Sequence, residues 1–306
     1  MAASSVFEMG KLEVHVKSVN QSNSSSPPKS LLISYPSQKG DYGVVLFLHG
    51  FLISNSFYKE LISHISSHGY IVVAPRIIYP CLQDEINSAA QVANWLPEGL
   101  QAALPPNVQP NTSKLTLAGH SRGGKAAFCM LLGLAGSPLT VQFSGLIGVD
   151  PVAGFQIPGI NYKMEIPPKI ITNNSKPFDI NVPTLIIGTE LGEEAKGCLA
   201  PPYAPAGLNY EQFYEKSKEP SYQFVAKGYG HVDMLDDISK NDLMGKLTYC
   251  VCKNGKEREP MRRTAGGLMV AFLKAFSDGQ RDDLDAILND PELAPIQLDA
   301  GAKLSS

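Results

Sequence analysis

The sequence predicts an α/β fold, a mainly parallel central sheet flanked by helices, and three observations carry that expectation. Short apolar runs rich in β-branched residues alternate with longer helical patterns, as they do where strands are joined by crossover helices. One such junction, LTLAGHSRGGKAAF at 115–128, passes from strand to helix through closely spaced glycines. The chain of 306 residues is 43% apolar and 18% charged, enough to bury one substantial core, and no linker divides it. A single domain over residues 1–306 is expected.

KLEVHV (11–16) and SLLISYP (30–36) open the series of strands, separated by the polar, Pro-rich QSNSSSPP (21–28), an expected exposed loop. YGVVLFLH (42–49), YIVVAP (70–75), KLTLAG (114–119), SGLIGVD (144–150), TLIIGTE (184–190) and YQFVAKGYG (222–230) continue it. Phe57 to His68 and Asp84 to Leu104 read as amphipathic helices, with Gly69 stopping the first. Gly124 to Leu134 is the helix leaving the glycine-rich junction, and Met261 to Ser277 the last major helix. In 153–181 and 192–221, Pro, Gly and aromatic residues replace periodicity, as they do in irregular cap or lid loops that line a cleft. Residues 292–306 are expected to form a flexible tail.

Several function classes are disfavoured by composition. A formal charge of −3 and no basic run argue against nucleic acid as a partner. Five cysteines cannot all pair within one chain, and Cys250-x-Cys252 lacks the second ligand pair of a structural zinc site. Cys81, Cys129 and Cys198 stand far apart, so free thiols are expected. MAASSVFEMGKLEVHV has no basic segment followed by a long apolar one, so no secretory signal is expected. The sequons at Asn20, Asn23, Asn111 and Asn173 therefore carry little weight. The uncharged stretch 126–149 is interrupted at Gly136-Ser137-Pro138 and again at Gln142, which suits two short buried elements better than a membrane span.

The chemistry centres on Gly119-x-Ser121-x-Gly123. A strand that reverses sharply into a helix needs small residues around one strained position, and here that position is a serine whose hydroxyl stands clear of the turn. This is the nucleophile elbow of the α/β-hydrolase fold. Gly and Ser also crowd into ordinary turns, so the elbow needs a base, an acid and an oxyanion hole to support it. His15 lies in an early strand, His64 and His68 sit four apart on one helix where exposure is expected, and His120 adjoins the serine and points elsewhere. His49 belongs to the loop after the third strand. His231, directly after the last of the strands named above, remains as the base, in the chain order Ser, acid, His. Asp150 and Glu190 each end a strand at the carboxyl edge of the sheet, and both stay open as the acid. Two backbone N–H groups are expected to form the oxyanion hole, those of Arg122 and of Phe51 after Gly50. The Arg122 side chain is expected in a structural salt bridge rather than on an acidic substrate group.

The segments GHSRGGKAAFCMLLG, GVDPVAG and GYGHVDMLDD, with VLFLHGF and PTLIIGTELG, closely resemble the plant chlorophyllase family over roughly residues 8–280. The resemblance implies an esterase that hydrolyses the phytyl ester of chlorophyll to chlorophyllide and phytol. It implies Ser121 as nucleophile, Asp150 as acid and His231 as base. No cofactor or protein-bound metal is required, since the magnesium belongs to the substrate. A porphyrin and a phytyl chain need a broad apolar cleft, for which Phe155, Ile157, Leu199, Tyr203 and Leu208 are the candidate wall residues. Peripheral membrane association would bring the enzyme to its substrate. The chloroplast is the implied compartment, although the short start containing Glu8 is no clear transit peptide and leaves the cytosol as the alternative. A general carboxylesterase or lipase on another apolar ester, or a hydrolase-fold ligand receptor, are the rival readings.

Overall fold

Strands β1 (Val14–Val19), β2 (Leu31–Pro36), β3 (Gly40–Leu48), β4 (Tyr70–Pro75), β5 (Val108–His120), β6 (Gly145–Val149), β7 (Gly154–Gln156), β8 (Lys163–Glu165), β9 (Thr184–Thr189), β10 (Ser221–Ala226) and β11 (Leu298–Lys303) form two sheets. The structure, a computed structural model, describes residues 3–21, 26–157, 159–160, 162–172, 176–196, 201–237, 249 and 252–304. Leu199, Cys198, Cys250, Asn23 and Asn173 lie outside the described residues. The large sheet has nine strands in the order β1-β2-β4-β3-β5-β6-β9-β10-β11. From β4 to β10 every neighbouring pair is parallel, while the β1–β2, β2–β4 and β10–β11 pairs toward the two edges are antiparallel. β7 and β8 form a small separate hairpin.

The sheet is covered on both faces, which is why its central strands read as continuous apolar runs. Side chains alternate between the faces: on β3, Val44, Leu46 and Leu48 join one core, and Val45 and Phe47 join the other. The first core is closed by α2 (Leu82–Gly99) and α3 (Arg122–Leu131). α2 presents Leu82, Ile86, Ala89, Ala93 and Leu96 at helical spacing. The second core is closed by α1 (Lys59–Ser67) and by α5 (Arg258–Ser277), which buries Met261, Ala265, Leu268, Met269 and Phe272 along one stripe. Full burial of a side chain such as Phe272 contributes about 1.5–3 kcal/mol.

The expected strands and helices are present with shifted ends, and four features depart from expectation. α2 begins at Leu82 and gives way to a short 3-10 turn at Gln101–Ala103, so Asp84 to Leu104 is not one helix. Within 192–221, α4 (Tyr210–Lys216) forms behind a capping box of Asn209 and Gln212, a signal present in the sequence. α6 (Asp282–Asn289) follows α5. The fourth departure is the expected tail, since 292–306 contains β11, paired antiparallel with β10 from Leu298 opposite Ala226 to Lys303 opposite Ser221. LDAGAK has low strand propensity. The open edge of β10 supplies its partner groups, and the Lys303 ammonium donates to the carbonyls of Tyr214, Glu215 and Ser217.

Among the described residues no helix is long and apolar enough to cross a membrane. The uncharged stretch 126–149 becomes most of α3 and all of β6. Cys81, Cys129 and Cys252 are free thiols. Chain order leaves β3 for β4 on one side and returns to β5 on the other, so the crevice at the carboxyl ends of β3 and β5 is a topological switch point, where open α/β sheets bind ligands.

Candidate active site

Ser121 sits at that switch point between β5 and α3, at φ 57° and ψ −126°. Such a conformation costs a residue with a side chain on the order of 1–3 kcal/mol. The flanking glycines explain how it is held. A Cβ on Gly119 would lie 2.3 Å from the Gly123 carbonyl oxygen, and one on Gly123 would lie 2.4 Å from the carbonyl oxygens of Leu48 and His49. The elbow therefore packs backbone against backbone, and only glycine fits at either site. Among the described residues three that are not glycine have positive φ, namely Leu52, Ser121 and Asp150. All three lie just past the carboxyl ends of β3, β5 and β6.

Three of the sequence-predicted residues meet here. The His231 Nε2 lies 2.7 Å from Ser121 Oγ, and its Nδ1 lies 2.6 Å from Asp150 Oδ2. A carboxylate only accepts, so Nδ1 carries the proton and Nε2 offers its lone pair to the serine hydroxyl. Asp150 is fully buried and also accepts from Thr189, at 2.7 Å from its hydroxyl and 3.2 Å from its amide. Glu190, open as the alternative partner of His231, is held elsewhere. Its carboxylate pairs with Lys227 at 2.5 Å and accepts the Gly228 amide at 2.7 Å, and the Lys227 contact holds its carboxyl below the usual range.

The other histidines near the site are structural in their bonding. The His49 Nδ1 donates to the Gly50 carbonyl at 2.8 Å and its Nε2 accepts the Ile77 amide at 3.0 Å, which stiffens the turn after β3. Burial lowers its pKa. His120 is fully buried between Tyr58 and the His231 main chain. His64, expected at the surface, is buried instead. Its ring donates to the Val6 carbonyl at 2.8 Å, because the N-terminal segment folds over α1. The His231 turn is pinned by Asp233, which accepts the amides of Gly230 and Gly255 at 2.7 and 2.6 Å.

Arg122 is occupied within the protein. It donates to both Glu85 oxygens at 2.8 and 2.5 Å, to the Pro80 carbonyl at 3.3 Å and to the Tyr79 carbonyl, and its guanidinium lies 3.8 Å from the centroid of the Phe51 ring. This is the expected salt bridge, with Glu85 buried enough that its carboxyl sits above the usual range despite the arginine. The same side chain steadies the Phe51 turn. The amide of Arg122 opens α3, where the first N–H groups have no intrahelical acceptor and the helix dipole favours negative charge.

The expected wall residues divide. Phe155 and Tyr203 are exposed, and the Tyr203 ring lies 6.1 Å from that of His231. Ile157 is half-buried. Leu208 is corrected: it is 3% exposed and belongs to the core beneath α4, packing under the loop rather than lining a cleft. The hairpin that follows Asp150 also exposes Ile160, Tyr162 and Met164, and the turn after β3 exposes Phe51 and Leu52. Their only sequence signal was apolar character without periodicity, which does not separate an exposed wall from a packed loop.

A family model described as chlorophyllase matches residues 2–305. Chlorophyllase-2 of Arabidopsis thaliana is 45% identical over 293 residues, covering 91% of this chain and 90% of that protein. Chlorophyllase-1 of the same plant is 41% identical over 306 residues, covering 97% and 92%. A Citrus unshiu protein named "Chlorophyllase-1, chloroplastic" is 44% identical over 284 residues, covering 91% and 82%.

Proposed function

We propose that this chain, which belongs to the chlorophyllase family, hydrolyses the phytyl ester of chlorophyll through Ser121, His231 and Asp150. The observation that carries the mechanism is the unbroken run of hydrogen bonds from Ser121 Oγ through the His231 ring to Asp150. A serine hydroxyl is a weak nucleophile at neutral pH. As Oγ attacks the propionate ester carbonyl, His231 Nε2 takes its proton and Asp150 steadies the imidazolium through Nδ1. The amides of Phe51 and Arg122 stabilise the oxyanion as it forms. His231 then protonates the departing phytol, and a water molecule repeats the attack on the acyl-enzyme with His231 again as base.

The names of the relatives support the substrate, and the exposed Tyr203 beside His231, with the exposed Phe155, supports an apolar cleft. The Citrus name supports a chloroplast compartment, and the exposed hairpin residues support peripheral contact with the membrane that holds the substrate. Purified protein incubated with chlorophyll in detergent is expected to release chlorophyllide, detected by chromatography. Rapid cleavage of short nitrophenyl esters with no chlorophyllide would overturn the substrate and leave a general carboxylesterase. No turnover of either ester would leave a ligand receptor.

A further inference from the structure

The buried side chains around the site include one imidazole that the mechanism above does not use. His120 precedes the nucleophile and is fully buried, and its ring lies 4.8 Å from that of His231 at an interplanar angle of 34°. Both its nitrogens are engaged. Nδ1 lies 2.7 Å from the Tyr58 hydroxyl, and Nε2 lies 2.8 Å from the main-chain carbonyl of His231. The Tyr58 oxygen in turn takes the Gly50 amide at 3.0 Å.

Donor and acceptor chemistry settles the direction of each bond. A carbonyl only accepts, so Nε2 carries the proton and donates to His231. In the neutral ring, which burial favours, Nδ1 is then the acceptor, and the single Tyr58 proton points at it. The Tyr58 oxygen is left to accept from Gly50. The result is one directed chain running from the Gly50 amide to Tyr58, then to His120, then to the His231 carbonyl. It joins the turn that carries Phe51 to the loop that carries His231, and it passes through the residue that precedes Ser121.

We propose that His120 is a positioning residue whose two hydrogen bonds set the distance between the Gly50–Phe51 turn and the His231 loop so that base and oxyanion donors address the same carbonyl. The proposal rests on the triad reading above. Burial and the neighbouring His231 and His49 rings hold the His120 pKa well below the ordinary histidine value, so it does not compete with His231 for the serine proton. A second cation beside the imidazolium of His231 would oppose the charge that Asp150 stabilises.

Gln and Asn substitutions separate the two bonds of His120. Glutamine places an N–H near the position of Nε2, keeping the donor to His231. Asparagine places an oxygen near Nδ1, keeping only the acceptor for Tyr58. A misplacement of about 1 Å can cost on the order of 10²-fold in rate, and that loss is expected in kcat for His120→Asn with KM within about threefold of wild type, since the bond positions reacting groups and does not hold substrate. His120→Gln is expected to recover kcat to within about tenfold of wild type, and Tyr58→Phe, which keeps the ring packing, to fall between the two. Rates are taken per serine labelled by a fluorophosphonate, with the modified residue identified by mass spectrometry. Equal kcat for the Gln and Asn variants, or a wild-type kcat for Tyr58→Phe, would overturn the proposal, because a purely structural role lowers the folded fraction and not the rate per labelled site. If neither His120 variant folds, Tyr58→Phe decides. Failure of wild-type Ser121 to label would instead overturn the triad reading, and with it this inference.

Discussion

Two pairs of histidines stack in this fold with nearly the same geometry. His120 and His231 lie 4.8 Å apart at 34°, and His64 and His68 lie 5.3 Å apart at 36°. The pairs differ in what their nitrogens meet. His231 has a carboxylate on one nitrogen and a hydroxyl on the other, a path along which a proton can move. His64 and His68 donate to the carbonyls of Val6 and Glu8, which take no proton, so that pair fastens the N-terminal segment to α1. Burial lowers the pKa of both His64 and His68, which shows that a perturbed titration alone does not mark a reactive site. The identity of the two partners does.

The largest expected effect breaks the proposed triad at its centre. Ser121→Ala and His231→Ala should each lower kcat for chlorophyll by about 10³–10⁶ with folding intact, and the double variant should be little worse than either, because the residues act as one unit. Steady-state rates on proteins of wild-type circular dichroism check this. A Ser121→Ala protein within about tenfold of wild type would remove the nucleophile from the mechanism.

Next comes the carboxylate that makes the difference between the two pairs. Asp150→Asn keeps the shape but offers His231 an amide, favouring the wrong tautomer, and should lower kcat by about 10⁴. Glu190→Gln removes a solvent-screened surface ion pair with Lys227 and should leave kcat near wild type. The reverse ranking would move the acid to the end of β9.

How much of this was legible in the sequence follows from the range of the forces involved. The parallel sheet and the Gly119-x-Ser121-x-Gly123 elbow are local patterns, readable from β-branched runs and from glycines at fixed offsets. Asp150 and Glu190 were equivalent in sequence, because each ends a strand at the same edge. They separate only in three dimensions, where Lys227 and the Gly228 amide occupy Glu190, and Thr189 turns Asp150 toward His231. β11 was hidden for a related reason, since LDAGAK has little intrinsic strand character and borrows its pairing from β10. His64 read as exposed because its partner lies 58 residues away in sequence. Leu208 read as a wall because apolar residues in aperiodic segments carry no sign of which way they face.

The smallest effect on activity, and the sharpest test of the comparison, belongs to the structural pair. His64 is buried against α5, where a Cβ on Gly266 would lie 2.7 Å from the imidazole, and burial is the main cause that lowers its pKa from 6.5 to about 4. The nearby His68 and Arg263 push the same way, while the Val6 bond and Glu8 oppose. The native state therefore keeps this ring neutral while the unfolded chain takes up a proton as pH falls. Its contribution to stability is complete above about pH 6.5 and is lost progressively toward about pH 4, up to roughly 3 kcal/mol. His64→Gln retains an N–H for the Val6 carbonyl and has nothing to titrate. Urea unfolding measured from pH 7.5 to 4 should show the variant losing stability less steeply, by about one proton's worth of slope. The curve should not become flat, because His49 and His68 titrate by the same rule. Since His64 touches none of the reacting groups, kcat per labelled serine should stay within about twofold of wild type. An unchanged slope would mean that this ring exchanges protons as freely when folded as when unfolded, and a large fall in kcat would mean that the two histidine pairs are coupled through the core they share.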